Sequence, residues 1–182
     1  GRLRPIDLAL AVSLLSRLPI QIIVNIPQNA WDRQVKSVWA FPLVGVLVGA
    51  IAGLVGWISL NLGLPPMVAA GLALAVMTLI TGAMHEDGLA DCADGFWGAN
   101  NPARRLEIMK DSSIGAYGTL VLILITGMRW LGYGVLIDQG IGPFIAVAAL
   151  SRGAVPLVMA TLPLARHDGL SRTVGRPHSA TV

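Results

Sequence analysis

At 182 residues the chain has room for one domain or for a handful of membrane spans, not for two independent globular units. Only 13% of its residues are charged against 54% hydrophobic, about half the charged share of soluble domains, which argues for a membrane protein. The net charge of +3 comes without a Lys-rich run or a basic face interleaved with aromatics, so nucleic acid is excluded as a partner; one cysteine, Cys92, excludes a disulfide framework and a Cys-rich zinc site.

The first apolar stretch, Ile6 to Leu15, runs for about ten residues before Arg17 and Pro19, too short for a span. It lacks the small-residue cleavage site of a signal peptide, and an interfacial or re-entrant segment is predicted. Four later runs approach the about 20 residues that a bilayer requires: approximately Val38–Leu60, Pro66–Ala83, Gly115–Ile137 and Gly142–Ala165. These predict an all-α fold, a polytopic helical bundle forming a single membrane domain over 1–182, in contact with membrane lipid. Gly45, Gly49, Gly53 and Gly56 recur at three- and four-residue spacing, which lets neighbouring helices approach closely; a homo-oligomer packed through such faces is compatible with the pattern.

The connections set the orientation. Arg33 and Lys36 lie in 25–37, Arg104, Arg105 and Lys110 in 84–114, and Arg166, Arg172 and Arg176 in the tail, whereas 61–65 and 138–141 carry no Lys or Arg. Basic residues accumulate on the cytoplasmic side of short connections, so the three basic segments are expected to face the cytoplasm.

Between the second and third runs stands "HEDGLADCADG", His85 to Gly95. The 84–114 connection holds Glu86, Asp87, Asp91, Asp94, Glu107 and Asp111, six of the ten acidic residues in the chain. Asp87, Asp91 and Asp94 stand at i, i+4 and i+7, on one helical stripe within about 60° of each other. Like charges so placed repel, and a divalent cation is the natural compensator. Hard carboxylate oxygens without cysteine or a histidine pair suit Mg²⁺, Mn²⁺ or Ca²⁺ better than zinc, and the spacing is not that of an EF-hand. Mg²⁺ binds through one or two carboxylates together with substrate phosphates, so the stripe predicts a phosphate-bearing substrate; the competing reading is a helix end with hydrated carboxylates. Gly88 and Gly95 leave room for a ligand or a neighbouring helix. His85 suits a proton carrier or a hydrogen-bonding residue at the helix entry, and Cys92, on another face, is expected to pack.

Asn101 followed by Pro102 signals a helix start, and a short helix to about Lys110 would place Arg104, Glu107 and Asp111 on one side with Arg105 and Lys110 nearby. Cations beside a metal–carboxylate site suit a diphosphate, and they also serve the positive-inside bias. Arg129 and Arg152 lie inside apolar runs, where a charge costs at least about 2.5 kcal/mol and so faces a partner or a polar cavity. Arg152, beside Ser151, is the better candidate for reaching the site; Arg129 is read as interfacial or paired with an acid. His167 and His178 have no evident partner.

The run "TGAMHEDGLADCADGFWGANNPARRLEIMKDSSIGAYG", with "SRLP" ending at Pro19, "FPLVGVLVGAI" from Phe41 and "LSRGAVPLVM" from Leu150, closely resembles the adenosylcobinamide-GDP ribazoletransferase (cobalamin synthase) family, in order over essentially the whole chain. The resemblance implies a Mg²⁺-dependent polytopic enzyme of the cytoplasmic membrane. Its small-molecule substrates would be adenosylcobinamide-GDP and α-ribazole or its 5′-phosphate, giving adenosylcobalamin or its phosphate and GMP. Asp87, Asp91 and Asp94 would then be metal ligands, Asp87 and His85 catalytic, and Arg105, Glu107, Lys110, Asp111, Ser151 and Arg152 substrate-binding. Family members continue with further apolar segments and a glycine-rich stretch containing T-G-D, so the resemblance also implies that a C-terminal part is lacking. Two alternatives remain. A CDP-alcohol phosphotransferase also sets an Asp-rich helix around Mg²⁺ at a membrane surface, although "LEIMKDS" speaks against it. A transporter would place carboxylates at mid-membrane, whereas this cluster is expected in a cytoplasmic connection.

Overall fold

The computed structural model describes residues 4–165 and 169–177. Arg166, His167 and His178 therefore lie outside the described residues. Helix α1, Pro5–Leu15, has 11 residues and rises about 16 Å, too little to cross a bilayer, as its apolar length predicts. It is fastened by Asp7, only 1% exposed. One oxygen accepts from the Arg4 backbone N–H at 3.0 Å and the other from Nε and Nη2 of Arg33, each at 3.1 Å. Arg33 belongs to a 3₁₀ segment, Gln28–Ala40, reached through the short helix α2, Ile20–Ile23. A buried carboxylate is tolerable because this grip meets both of its oxygens.

The 3₁₀ segment runs straight into α3, Phe41–Asn61, giving one helical stretch from Gln28 to Asn61. Alpha-helix α8, Gly142–Thr161, packs most extensively on it, followed by α4, Pro66–Thr81. The glycines explain the closeness. A Cβ at Gly49 would lie 2.5 Å from the Phe144 carbonyl oxygen, one at Gly45 would strike the Ala148 carbonyl, and one at Gly53 the Ile141 side chain. Gly56 faces Ile137 and Ala73. The stripe expected from spacing is thus real, and neighbours in the same chain cover it. The core it closes contains Phe41, Val44, Val48, Ala52, Ala73 and Phe144, all essentially inaccessible.

Helix α4 has 16 residues and rises about 24 Å, short of the about 30 Å hydrocarbon core. Gly82 at φ 63° and Ala83 at φ 55° then turn the chain by 86° into α5, Met84–Gly98. Left-handed geometry is easy for glycine and costs alanine about 1 kcal/mol. Arg17 of the SRLP stretch lies over this corner: its N–H donates to the Ile80 carbonyl at 2.7 Å, and a Cβ on Gly82 would meet its Nε at 2.5 Å. Among the described residues three helical stretches are long and apolar enough to cross a membrane, and a fourth if the bent pair α4–α5 counts as one.

Asn101 caps α6, Pro102–Ile108, through the Ala103 N–H at 2.8 Å, two residues shorter than expected. Helix α7 spans Ala116–Leu136, close to its predicted bounds, whereas α8 stops four residues short of the expected Ala165, before Pro163. Arg176 satisfies the end of α8 by donating to the Ala160 carbonyl at 3.0 and 2.8 Å; the helix α9, Leu170–Val174, leads up to it. Leu120, Ile123, Leu124, Met128, Leu131 and Val135 on α7 are each more than half exposed. A face this apolar is not stable against water, and the protein is a multi-pass membrane protein.

Helix α5 is packed on the bundle: Glu86 meets Arg129 while Asp94 meets Gly115 and Gly118, so α5 runs antiparallel along the first half of α7.

Candidate active site

Helices α4, α5, α7 and α8 enclose a cavity of about 460 Å³ whose polar lining is Thr81, His85, Glu86, Arg129, Tyr133, Ser151 and Arg152. Arg129 stands 14 residues beyond Gly115, about 20 Å along α7. At that depth an apolar run tolerates a cation only with a partner, and its Nη1 donates to Glu86 Oε1 at 2.5 Å. Of the two readings of Arg129, pairing with an acid is the observed one. Arg152, midway along α8, is 6% exposed; its Nη1 donates to the Ser151 hydroxyl at 3.1 Å. The Nε of Arg152 and Oε2 of Glu86 are buried without a hydrogen-bond partner among the described residues.

The acidic stripe divides by depth. Asp87 is exposed, Asp91 half-buried and Asp94 buried at 9% exposure. Asp94 accepts the backbone N–H of Gly115 on one oxygen and of Gly118 on the other, each at 2.8 Å. It serves as the cap of α7 from a neighbouring helix, filling otherwise orphaned donors and facing the positive end of the dipole. The two glycines are required there, because a Cβ would come within 2.8 Å of the Asp94 carboxyl carbon at Gly115 and 3.1 Å at Gly118. Among the described residues no three Asp, Glu, His or Cys side chains are gathered to hold a metal ion. Asp87 and Asp91, one turn apart, remain on the stripe, and a Cβ at the intervening Gly88 would meet nothing within 4 Å. A pair of carboxylates sharing the ion with a phosphate-bearing ligand fits the sparse protein ligation of Mg²⁺.

A second cavity, of about 350 Å³, lies where α6 meets the start of α7 and is lined by Asp94, Arg104, Glu107, Asp111, Ser113 and Tyr117 among others. Arg104 pairs with Glu107 at 2.8 Å, both well exposed. The Ser113 hydroxyl, then its backbone N–H, donate to Asp111 at 2.6 and 3.0 Å and hold that carboxyl below the usual carboxylate range. Arg105 is committed elsewhere: its Nε donates to the Ala99 carbonyl at 2.8 Å and its guanidinium lies 5.5 Å from the Phe96 ring centre. It ties α6 to the end of α5, where Gly95 admits Met109. Lys110 is exposed beside it, and Cys92, expected to pack, is exposed as well.

The sequence-predicted residues therefore fall into two groups, with His85, Ser151 and Arg152 around the mid-bundle cavity and Asp94, Glu107 and Asp111 around the α6 cavity. Asp87 and Asp91 lie on the helix that joins them. Sequence reasoning missed the Glu86–Arg129 pair as part of the site. Its signal was present: an arginine inside an apolar run needs an acid, and Glu86 was in the motif.

A family model described as cobalamin-5-phosphate synthase matches residues 7–182. The chain belongs to this family. Proteins named adenosylcobinamide-GDP ribazoletransferase are similar along nearly its whole length. That of Bradyrhizobium diazoefficiens is 44% identical over 179 residues, covering 97% of this chain and 67% of the relative. Those of Brucella anthropi and Rhizobium etli are 40% and 41% identical, each covering 97% of this chain and 69% of the relative. The chain thus spans about two thirds of the length of these relatives. No solved structure matches it. As a cobalamin-5-phosphate synthase family member it carries both cavities and the acidic helix inside the matched region. That membership favours neither the lipid phosphotransferase nor the transporter, even though Glu86, Arg129 and Arg152 lie deep in the bundle.

Proposed function

We propose that the chain is an adenosylcobinamide-GDP ribazoletransferase of the cytoplasmic membrane, with its site open to the cytoplasm. The match to this family over residues 7–182 carries the reading. In the reaction a ribose hydroxyl oxygen of α-ribazole or its 5′-phosphate bonds to the phosphorus attached to cobinamide, the bond from that phosphorus to GMP breaks, and GMP leaves. Asp87 and Asp91 would hold Mg²⁺, which would supply charge neutralisation to a diphosphate bound there. His85, on the same helix and at the mouth of the mid-bundle cavity, would take the hydroxyl proton. Asp94 positions α5 against α7, and Arg105 positions α6 against α5. Lys110, Glu107 and Asp111 then line the cytoplasmic approach for the large corrinoid, and Ser151 and Arg152 the inner end.

The test is turnover by the purified chain in detergent with adenosylcobinamide-GDP, α-ribazole phosphate and Mg²⁺. Release of GMP with a completed corrinoid is expected, falling about a hundredfold or more in Asp87→Asn. Unchanged turnover in that variant would remove Asp87 from the site, and absence of turnover in the parent chain would remove the reading.

A further inference from the structure

The mid-bundle cavity carries an excess of positive charge. Arg129 and Glu86 neutralise one another, but Arg152, 6% exposed, bonds a hydroxyl rather than a carboxylate, and its buried Nε–H has no acceptor among the described residues. A guanidinium does not discharge by losing a proton, and an unpaired buried cation is costly in a membrane bundle. The second orphan, Glu86 Oε2, is an acceptor without a donor. One ligand would satisfy both if it brought anionic oxygens to Arg152 and a hydroxyl to Glu86. A bare diphosphate brings no such hydroxyl, whereas a sugar phosphate brings both, and about 460 Å³ is within the range of small-ligand pockets.

We propose that this cavity is a subsite for a sugar phosphate monoester, held by Arg152 with Ser151 and Arg129 on its anionic end and by Glu86 on a sugar hydroxyl, distinct from the Asp87–Asp91 stripe. It rests on the ribazoletransferase reading only for its natural ligand, which is either the phosphorylated acceptor or the departing GMP, both sugar phosphates.

The full chain in detergent micelles, with EDTA present so that the acidic stripe holds no divalent cation, is titrated with ribose 5-phosphate and with ribose while its unfolding temperature is followed. A saturable rise with ribose 5-phosphate and none with ribose is expected. In Arg152→Met the apparent affinity should drop at least about tenfold, while the ligand-free protein is as stable as the parent or more so, because the unpaired charge is gone. Should that variant fail to insert, protection of Arg152 from phenylglyoxal by ribose 5-phosphate, read by peptide mass, gives the answer in the unmodified sequence. No response in the parent, an equal response to ribose, or an unchanged affinity in Arg152→Met overturns the proposal, whatever the turnover assay gives. Competition by GMP assigns the subsite to the leaving group and competition by α-ribazole 5′-phosphate to the acceptor. If neither competes while the Arg152-dependent response holds, the subsite stands and its assignment to the acceptor or the leaving group is overturned, while the ribazoletransferase reading is decided by turnover.

Discussion

Asp94 and Asp87 sit seven residues apart on one helix and do different work, which substitution should separate. Asp94→Ala strands the Gly115 and Gly118 N–H groups at the α7 N-terminus and should cost about 2 kcal/mol of stability in micelle denaturation. Asp94→Asn keeps one acceptor, should cost less, and should leave the Mg²⁺ concentration needed for turnover unchanged. Asp87→Asn, exposed and without a structural bond to break, should do the reverse. The Asp7–Arg33 clamp makes a second case: Arg33→Met leaves a carboxylate of 1% exposure without its cation and should destabilise by about 3–5 kcal/mol. Adding Asp7→Leu should restore most of that, since two apolar side chains tolerate the site where one stranded charge does not. The stripe of Asp87, Asp91 and Asp94 was legible from spacing alone. The separation of Asp94 from the other two was not, because its partners are backbone N–H groups 21 and 24 residues away, and no side-chain pattern announces a backbone donor. Asp7 and Glu86 were legible in principle by the rule that led to Arg152, applied to acids as well as to bases.

At the scale of elements, the glycine spacing of α3 predicted close helix packing, and the structure adds the partner. A side chain at Gly49 would push into the backbone of Phe144 and Ile145, 2.5 and 2.8 Å from its Cβ, and neither can yield without moving α8. Gly49→Leu should therefore cost about 3 kcal/mol or more, read from tryptophan fluorescence during denaturation. Gly127→Leu, on α7 where a Cβ meets nothing within 4 Å, should be neutral or slightly stabilising through helix propensity. Helix limits followed from apolar length and caps for α6 and α7. The α4–α5 corner escaped because hydropathy runs smoothly through Thr81, Gly82 and Ala83; what stops the helix is backbone handedness, and the positive φ of an alanine has no compositional signature. The acidic segment was legible as a helix from its stripe, but its course along α7 was not, because the contacts that lay it there are made across the chain.

Across the whole molecule the charge distribution predicts which side the acidic helix serves. Arg33 and Lys36 precede α3, and Arg104, Arg105 and Lys110 precede α7, while the connections at the opposite helix ends carry no Lys or Arg. Trp97 and Tyr117, with ring centres 6.5 Å apart, lie at the same end as the second basic group, where amphipathic aromatics favour the bilayer interface. Cys92 offers a direct readout of that polarity, being the one cysteine in the chain and exposed on α5 between Asp91 and Asp94. A membrane-impermeant maleimide should label it in inverted vesicles and spare it in intact spheroplasts. Labelling from the outer face alone would turn the bundle over and carry Asp87 and Asp91 to the side where no nucleotide-activated substrate is made. The labelling also bears on the site, because a reagent on Cys92 sits one residue from Asp91: adenosylcobinamide-GDP with Mg²⁺ should slow the reaction several-fold if the diphosphate is held on this helix, and EDTA should restore the rate.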